Sequence, residues 1–184
     1  MKILRNCRLL SSLFNKNKAL STDEIDRYIS STFHLEEKIS RSVFSPINLK
    51  KDKKLRNNSF TTPSGIDEVS VNRLNYTTIH FIKKISKKIA NPSEDRNYCG
   101  VAIIDVKEIH ESESVIQYSP TKVKLPTEII DNPFHSDIKI GYVKQFGKPL
   151  PVEFSYKVDL MVQKARFYFD ETPASENWEG VDLI

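Results

Sequence analysis

Apolar positions recur along this chain at two spacings, and the switches between them mark out its elements. In STDEIDRYISSTF, Ile25, Tyr28, Ile29 and Phe33 fall at helical spacing. Ser21 lies three residues before Glu24, as in a capping box, and Asp23, Glu24 and Asp26 crowd the first turn. A helix is predicted over about 22–32. Upstream, Ile3, Leu4, Cys7, Leu10, Leu13 and Phe14 make a roughly amphipathic, basic stretch. It reads as an ordered first helix rather than a cleaved targeting peptide. A further helix is predicted in TTIHFIKKISKKIANP. Thr77 or Thr78 caps it, Ile79, Ile82, Ile85 and Ile89 form the stripe, and Asn91-Pro92 stops it.

Strand spacing governs much of the rest. EKISRSVFSPI and EVSVNRL are short extended pieces, the first stopped by Pro46. YCGVAIIDVKEI is apolar on both faces, so a covered central strand is predicted from Tyr98 to Ile109. SVIQY and KVKL read as short strands parted by Ser119-Pro120-Thr121, TEIIDNPFH reads as a loop, and DIKIGYV alternates as a half-buried strand should. PLPVEFSYKVDLMVQKARFYFDE fits both periods. Its lysine, glutamine and alanine, and the lack of any turn signal, favour a long C-terminal helix. The pattern is that of an α+β fold: a single compact domain over residues 1–170, with a short mixed β-sheet packed by amphipathic helices. Residues 171–184 form an acidic tail whose Trp178 can dock on the body or on a partner.

Composition narrows this reading. Ten Phe and seven Tyr in 184 residues supply a core and exclude a wholly disordered chain. With five glycines and neither a GxGxxG nor a GxxxxGK[ST] motif, phosphate-cradling loops are excluded. Cys7 and Cys99 are far apart and outside any CxxC pair, so neither a disulfide scaffold nor a cysteine zinc site is expected. Two free thiols fit a reducing, cytoplasmic setting. No window approaches the length of apolar chain that a membrane span needs.

Charge is divided unevenly. Residues 1–92 carry 18 Lys+Arg against 8 Asp+Glu, whereas residues 93–184 carry 10 against 16. Either the basic half meets nucleic acid or an acidic partner, or the two halves fold on each other. The basic residues gather in two places. One is a long loop, expected to be mobile, over about 47–67, with Lys50, Lys51, Lys53, Lys54 and Arg56. The other is the helix with Lys83, Lys84, Lys87 and Lys88. Both are candidate phosphate contacts for nucleic acid. Base-reading arginines interleaved with aromatics are missing, so sequence-specific readout is not expected.

The four histidines, His34, His80, His110 and His135, form no HxxxH, HExxH or HxH pattern, so no local metal site and no cofactor are implied. His34 precedes Glu36 and Glu37, and His135 precedes Asp137. An acid–base pair of His34 and His135 requires the fold to bring them together. Ser42 and Ser70 are candidate nucleophiles only by their place on short extended pieces.

Three stretches, FHLEEKISRSVFSP, EVSVNRLNYTT and NPFHSDIKIG, resemble a small bacterial family with no assigned activity. The matching residues are His34, Ser42, Phe44, Pro46, Ser70, Val71, Arg73, Pro133, His135 and Ile138. The resemblance spans about residues 33–141 and departs from the family pattern at Ser136, where the family has alanine, and in the lengthened basic loop. It implies that His34, Ser42, Arg73 and His135 converge. Two functions follow as expectations. The first is a non-catalytic interaction subunit of a bacterial multi-protein assembly, with protein partners and a nucleic-acid contact through the basic segments. The second is an enzyme in which Arg73 binds the phosphate of a substrate and His34 or His135 moves the proton.

Overall fold

A computed structural model describes residues 28–90, 96–124, 128–181 and 183. Among them the chain runs β1 (Lys38–Pro46), a 3-10 turn (Asn57–Ser59), β2 (Val69–Arg73), α1 (Ile79–Ile89), β3 (Arg96–Asp105) and α2 (Val106–Glu111). It continues through β4 (Val115–Tyr118), β5 (Thr121–Lys124), β6 (Ile129–Asn132), β7 (His135–Lys139), α3 (Val152–Lys164) and β8 (Arg166–Phe169). Six strands form one sheet in the order β4-β7-β2-β1-β3-β8, and every pairing in it is antiparallel. β5 and β6 pair separately, so the hairpin of β4 and β7 bends and continues as a two-stranded ribbon.

The α+β class is the one the pattern predicts, and strand alternation explains how the sheet is covered. Ile39, Val43, Val69, Val71, Ala102, Ile104 and Ile138 lie in one apolar cluster with Val106 and Ile109 of α2 and Val158 and Met161 of α3. Leu74, Val101 and Ile103 lie in another with Ile82 of α1 and with Trp178 and Leu183 of the tail. Helices therefore cover both faces, and β3, between β1 and the edge strand β8, is buried from Tyr98 to Ile104. α1 begins where the sequence places it, with the Thr78 hydroxyl accepting from Phe81 N at 3.2 Å.

Gly100 sits at φ +149°, and a Cβ there would lie 2.2 Å from the backbone oxygen of Tyr168 on β8. That contact is with main chain, which cannot rotate away. Gly100→Ala is therefore expected to lower stability by about 1–3 kcal/mol or more, measured by urea denaturation. An unchanged midpoint would contradict the close approach.

The structure corrects several expectations. Residues 28–32, the described end of the helix expected over 22–32, form turns and bends, and the first-helix expectation lies outside the described residues. The strand expected to reach Ile109 ends at Asp105, where Asp105 and Glu108 form a capping box and start α2. The expected loop before Pro133 contains β6. The C-terminal helix covers Val152–Lys164 and gives way to β8. The basic loop is anchored: Leu49 and Leu55 form a bridge and are buried, as are Ser59, Phe60 and Thr62. The tail docks on the body through Trp178 and Leu183.

Candidate functional site

Residues paired across antiparallel strands share a face, so the sheet register fixes which polar side chains meet. Asn72 pairs with both Ser40 and His135, and Ser70 and Gln117 both pair with Asp137. Alternation puts Ser40, Ser42, Ser70, Asn72, Gln117, His135 and Asp137 on one face. α1 packs on this same face, since the hydroxyls of Ser42 and Ser86 are 2.6 Å apart. Over β2 and β7 the face is thus polar where the opposite face is core. Asn132 of β6 reaches it, its Nδ2 donating to Asn72 Oδ1 at 2.8 Å.

At the end of β4, Ser119, His135 and Asp137 come together. His135 Nδ1 lies 2.7 Å from the Ser119 carbonyl oxygen, which can only accept, so this nitrogen carries the proton. Nε2 is 3.7 Å from Asp137 Oδ1, beyond a hydrogen bond. The Ser119 hydroxyl donates to Asp137 Oδ2 at 2.5 Å. A nucleophilic serine needs its proton aimed at a basic nitrogen. Here the hydroxyl proton goes to a carboxylate and the nearer imidazole nitrogen is already protonated. The cluster ties the end of β4 to β7 rather than activating Ser119.

The three residues expected to line a cleft are not brought together. Arg73 is paired with Ile39 and belongs to the face opposite His135. It is fully buried, with Nε 2.5 Å from Glu37 Oε1 and Nη2 2.7 Å from Oε2. Nη1 donates to the Ser30 carbonyl, Nη2 also donates to the Thr32 carbonyl at 3.0 Å, and the rings of Phe33 and Tyr76 stack on the guanidinium. Arg73 is a structural cation. His34 is exposed, and among the described residues its ring bonds neither Arg73 nor His135. Of the two serines, Ser42 is buried against α1 and Ser70 is exposed.

The basic residues also separate. Lys83 is fully buried, with Nζ 2.8 Å from Asp170 Oδ2, 2.8 Å from the Thr172 carbonyl and 2.7 Å from that of Asn177. Lys87 holds the carbonyls of Ala174 and Ser175 and pairs with Glu176, whose carboxyl it holds below the usual range. Lys88 pairs with Glu128, and Lys84 is exposed. The helix lysines thus mostly hold the acidic half of the same chain. Lys50, Lys51, Lys53, Lys54 and Arg56 stay exposed on a hairpin closed by the Lys50 N to Lys54 O bond of 2.8 Å. Lys54 pairs with Asp52, and Lys53 lies 3.9 Å over the Phe169 ring.

Residues absent from the sequence expectations now stand out. Arg41 of β1 donates from Nε to Ser59 O at 3.1 Å and from Nη1 to Ser70 O at 2.6 Å. Phe146, Val152 and Tyr156 are exposed by 91%, 86% and 66%. Their signals were an arginine between two strand serines, and an aromatic between lysines in KQFGK. Burial pushes the Cys99 thiol up to about 11, so it is a packed, unreactive side chain. Among the described residues no group of three or more His, Cys, Asp or Glu is placed to hold a metal ion, and no helix is long and apolar enough to cross a membrane. Compared with family models, with curated proteins and with solved structures, the chain matches none.

Proposed function

We propose that this chain is a non-catalytic interaction subunit of a bacterial, cytoplasmic protein assembly, and that it meets a protein partner through the β7–α3 connection and the first turns of α3. One observation carries this reading: Val143, Phe146, Val152 and Tyr156 are all more than half exposed within a short span of chain. Val152 and Tyr156 are four apart on a helix and so share a face. The connection is held in shape, because Tyr142 stacks on Phe154 with ring centroids 4.8 Å apart and Gly65 N donates to Lys144 O at 2.8 Å. Apolar groups concentrated on an ordered surface mark contact sites. Lys144, Lys148 and Lys157 lie among them along the chain, with Glu153 the acid of that stretch, so the complementary surface is apolar with a carboxylate rim. A nucleic-acid contact in the assembly falls to the exposed hairpin around Lys50–Arg56 rather than to α1, whose lysines are mostly engaged within the chain. Free, buried Cys99 supports the reducing setting.

The test is the variant carrying both Phe146→Ser and Tyr156→Ser. Neither side chain is buried, so the variant is expected to keep the wild-type unfolding midpoint. Purified from its native host, the tagged wild-type chain should bring down a stoichiometric partner protein that the variant loses. Identical co-purifying proteins for both chains would end the proposal.

A further inference from the structure

The hairpin Lys50–Arg56 carries five cations and one carboxylate, a balance of +4, which equals the formal net charge of the whole chain. The remainder of the chain is therefore formally neutral. On α1 this balance is made by contact: Lys83, Lys87 and Lys88 pair with Asp170, Glu176 and Glu128. In the hairpin only Lys54 is paired, with Asp52 at 3.2 Å. Among the described residues Lys50, Lys51, Lys53 and Arg56 hold no carboxylate. Lys53 rests on the Phe169 ring, and Arg56 Nε donates to the neutral Leu49 O at 2.7 Å. Asp159 of α3, bonded at the base of the same loop, accepts from Asn57 and not from these cations.

The backbone that carries these charges is fixed. Leu49 and Leu55 bridge each other and are buried in one apolar cluster with Phe60. Lys50 N donates to Lys54 O at 2.8 Å, Lys53 N to Lys50 O at 3.1 Å and Arg56 N to Asn48 O at 2.8 Å. The Ser59 hydroxyl donates to the same Asn48 carbonyl at 3.0 Å. The turn holds Lys53 at φ +60°. Glycine or asparagine would make this turn with less strain. Lysine there adds a cation to the tip, and strained residues held by their surroundings gather at ligand contacts. Cations already clustered on a fixed turn lose less freedom on binding than cations on a flexible loop.

We propose that the tip of this hairpin binds the sugar–phosphate backbone of nucleic acid without reading its sequence. The proposal rests on assigning the nucleic-acid contact to this hairpin, and it specifies the chemistry of that contact. Lysines meet phosphates as point charges and position a chain without reporting its bases. A protein partner fits less well, because lysine is depleted from the cores of protein interfaces. A membrane surface also fits less well. Stable membrane attachment takes a second signal besides a basic patch, and both leucines of the hairpin are buried.

The test is fluorescence anisotropy of two labelled oligonucleotide duplexes of unrelated sequence with the purified full chain, at about 50 and 200 mM salt. Four free cations on phosphates give a slope of log K against log salt of about −3.6, so affinity should fall about a hundredfold between the two salts. The two sequences should bind alike. Lys50→Ala combined with Lys51→Ala should weaken binding about tenfold or more at the lower salt and flatten the slope by about 2. Lys53→Gly suits the positive φ, so it should weaken binding while the chain stays folded by its unfolding midpoint. Lys84→Ala, on α1, should bind as wild type does. Phosphatidylserine vesicles and poly-glutamate serve as further arms. Tighter binding to either of them than to the duplexes overturns the proposal. So does absence of duplex binding at the lower salt, or an unchanged affinity and slope in the Lys50→Ala, Lys51→Ala variant. The purified chain is measured without a protein partner, so failure here is separate from failure of the contact on α3.

Discussion

Arg73→Ala should lower stability by about 3–5 kcal/mol, the usual cost of breaking a buried ion pair from one side. For a domain of this size that is a fall of roughly 6–20 °C in the unfolding midpoint. The reason is what the substitution strands. Glu37, 3% exposed, would keep its charge with no guanidinium to meet it, and the carbonyls of Ser30 and Thr32 would lose their donor. Phe33 and Tyr76 would lose the planar group on which they pack. Arg73→Lys should fall between wild type and alanine, because an ammonium cannot make the two-pronged contact to Glu37. Arg73→Met combined with Glu37→Leu should recover much of the loss, since a well-packed apolar pair removes the stranded charge. Thermal unfolding followed by circular dichroism separates these cases. A wild-type midpoint for Arg73→Ala would mean that the ion pair does not hold this end of the sheet.

The same residue shows where reading along the chain reaches its limit. Arg73 lies on a correctly placed strand, in a piece that resembles a family motif, and it looked like a ligand for phosphate. Its partner lies 36 residues away, and nothing local tells a structural arginine from a binding one. Which face it occupies depends on the register of β1 against β2. The register also separates it from His135, although Asn72, its chain neighbour, pairs directly with that histidine.

Elements were legible where local chemistry and tertiary packing agree. α1 has its cap, its isoleucine stripe and its terminal cations in sequence. β1 and β2 lie within stretches that read as extended, and β7 overlaps the start of a third. α2 and β8 were hidden for different reasons. The capping box of Asp105 and Glu108 was present, but the apolar run of β3 flows into Val106 and masked the change of period. β8 follows α3 without glycine or proline: Ala165 is the C-cap, in extended conformation. Arg-Phe-Tyr-Phe fits a helix by spacing. It becomes a strand because β3 offers an edge, and Gly100 lets Phe169 approach it.

Lys83→Met is expected to have the second large effect, and it tests why the charge is split along the chain. The basic half supplies α1 and the acidic half supplies the tail that lies across it. Lys83 is the buried centre of that contact, facing Asp170 and the carbonyls of Thr172 and Asn177. Methionine fills much of the same volume but leaves Asp170 buried and unpaired, at a cost of about 3–5 kcal/mol. The consequence should be local first. The tail is otherwise held by Trp178 and Leu183 in their apolar cluster, by Trp178 N donating to His80 Nδ1 at 2.9 Å, and by Lys38 donating to Leu183 O at 3.1 Å. Trp178 is the one tryptophan in the sequence, so its fluorescence reports the tail without ambiguity and should shift to the red. Cleavage by a Glu-specific protease at Glu171, Glu176 or Glu179 should accelerate at the same time. Lys87→Ala, which touches the tail at the surface, should change neither reading much, because exposed pairs contribute little. Adding Asp170→Asn to Lys83→Met should restore part of the loss: it removes the stranded charge and keeps an acceptor for Thr172 N. Trp178 emission and cleavage rates equal to wild type in Lys83→Met would show that the tail is held by its apolar contacts alone, and that the opposed charges of the two halves are not what joins them.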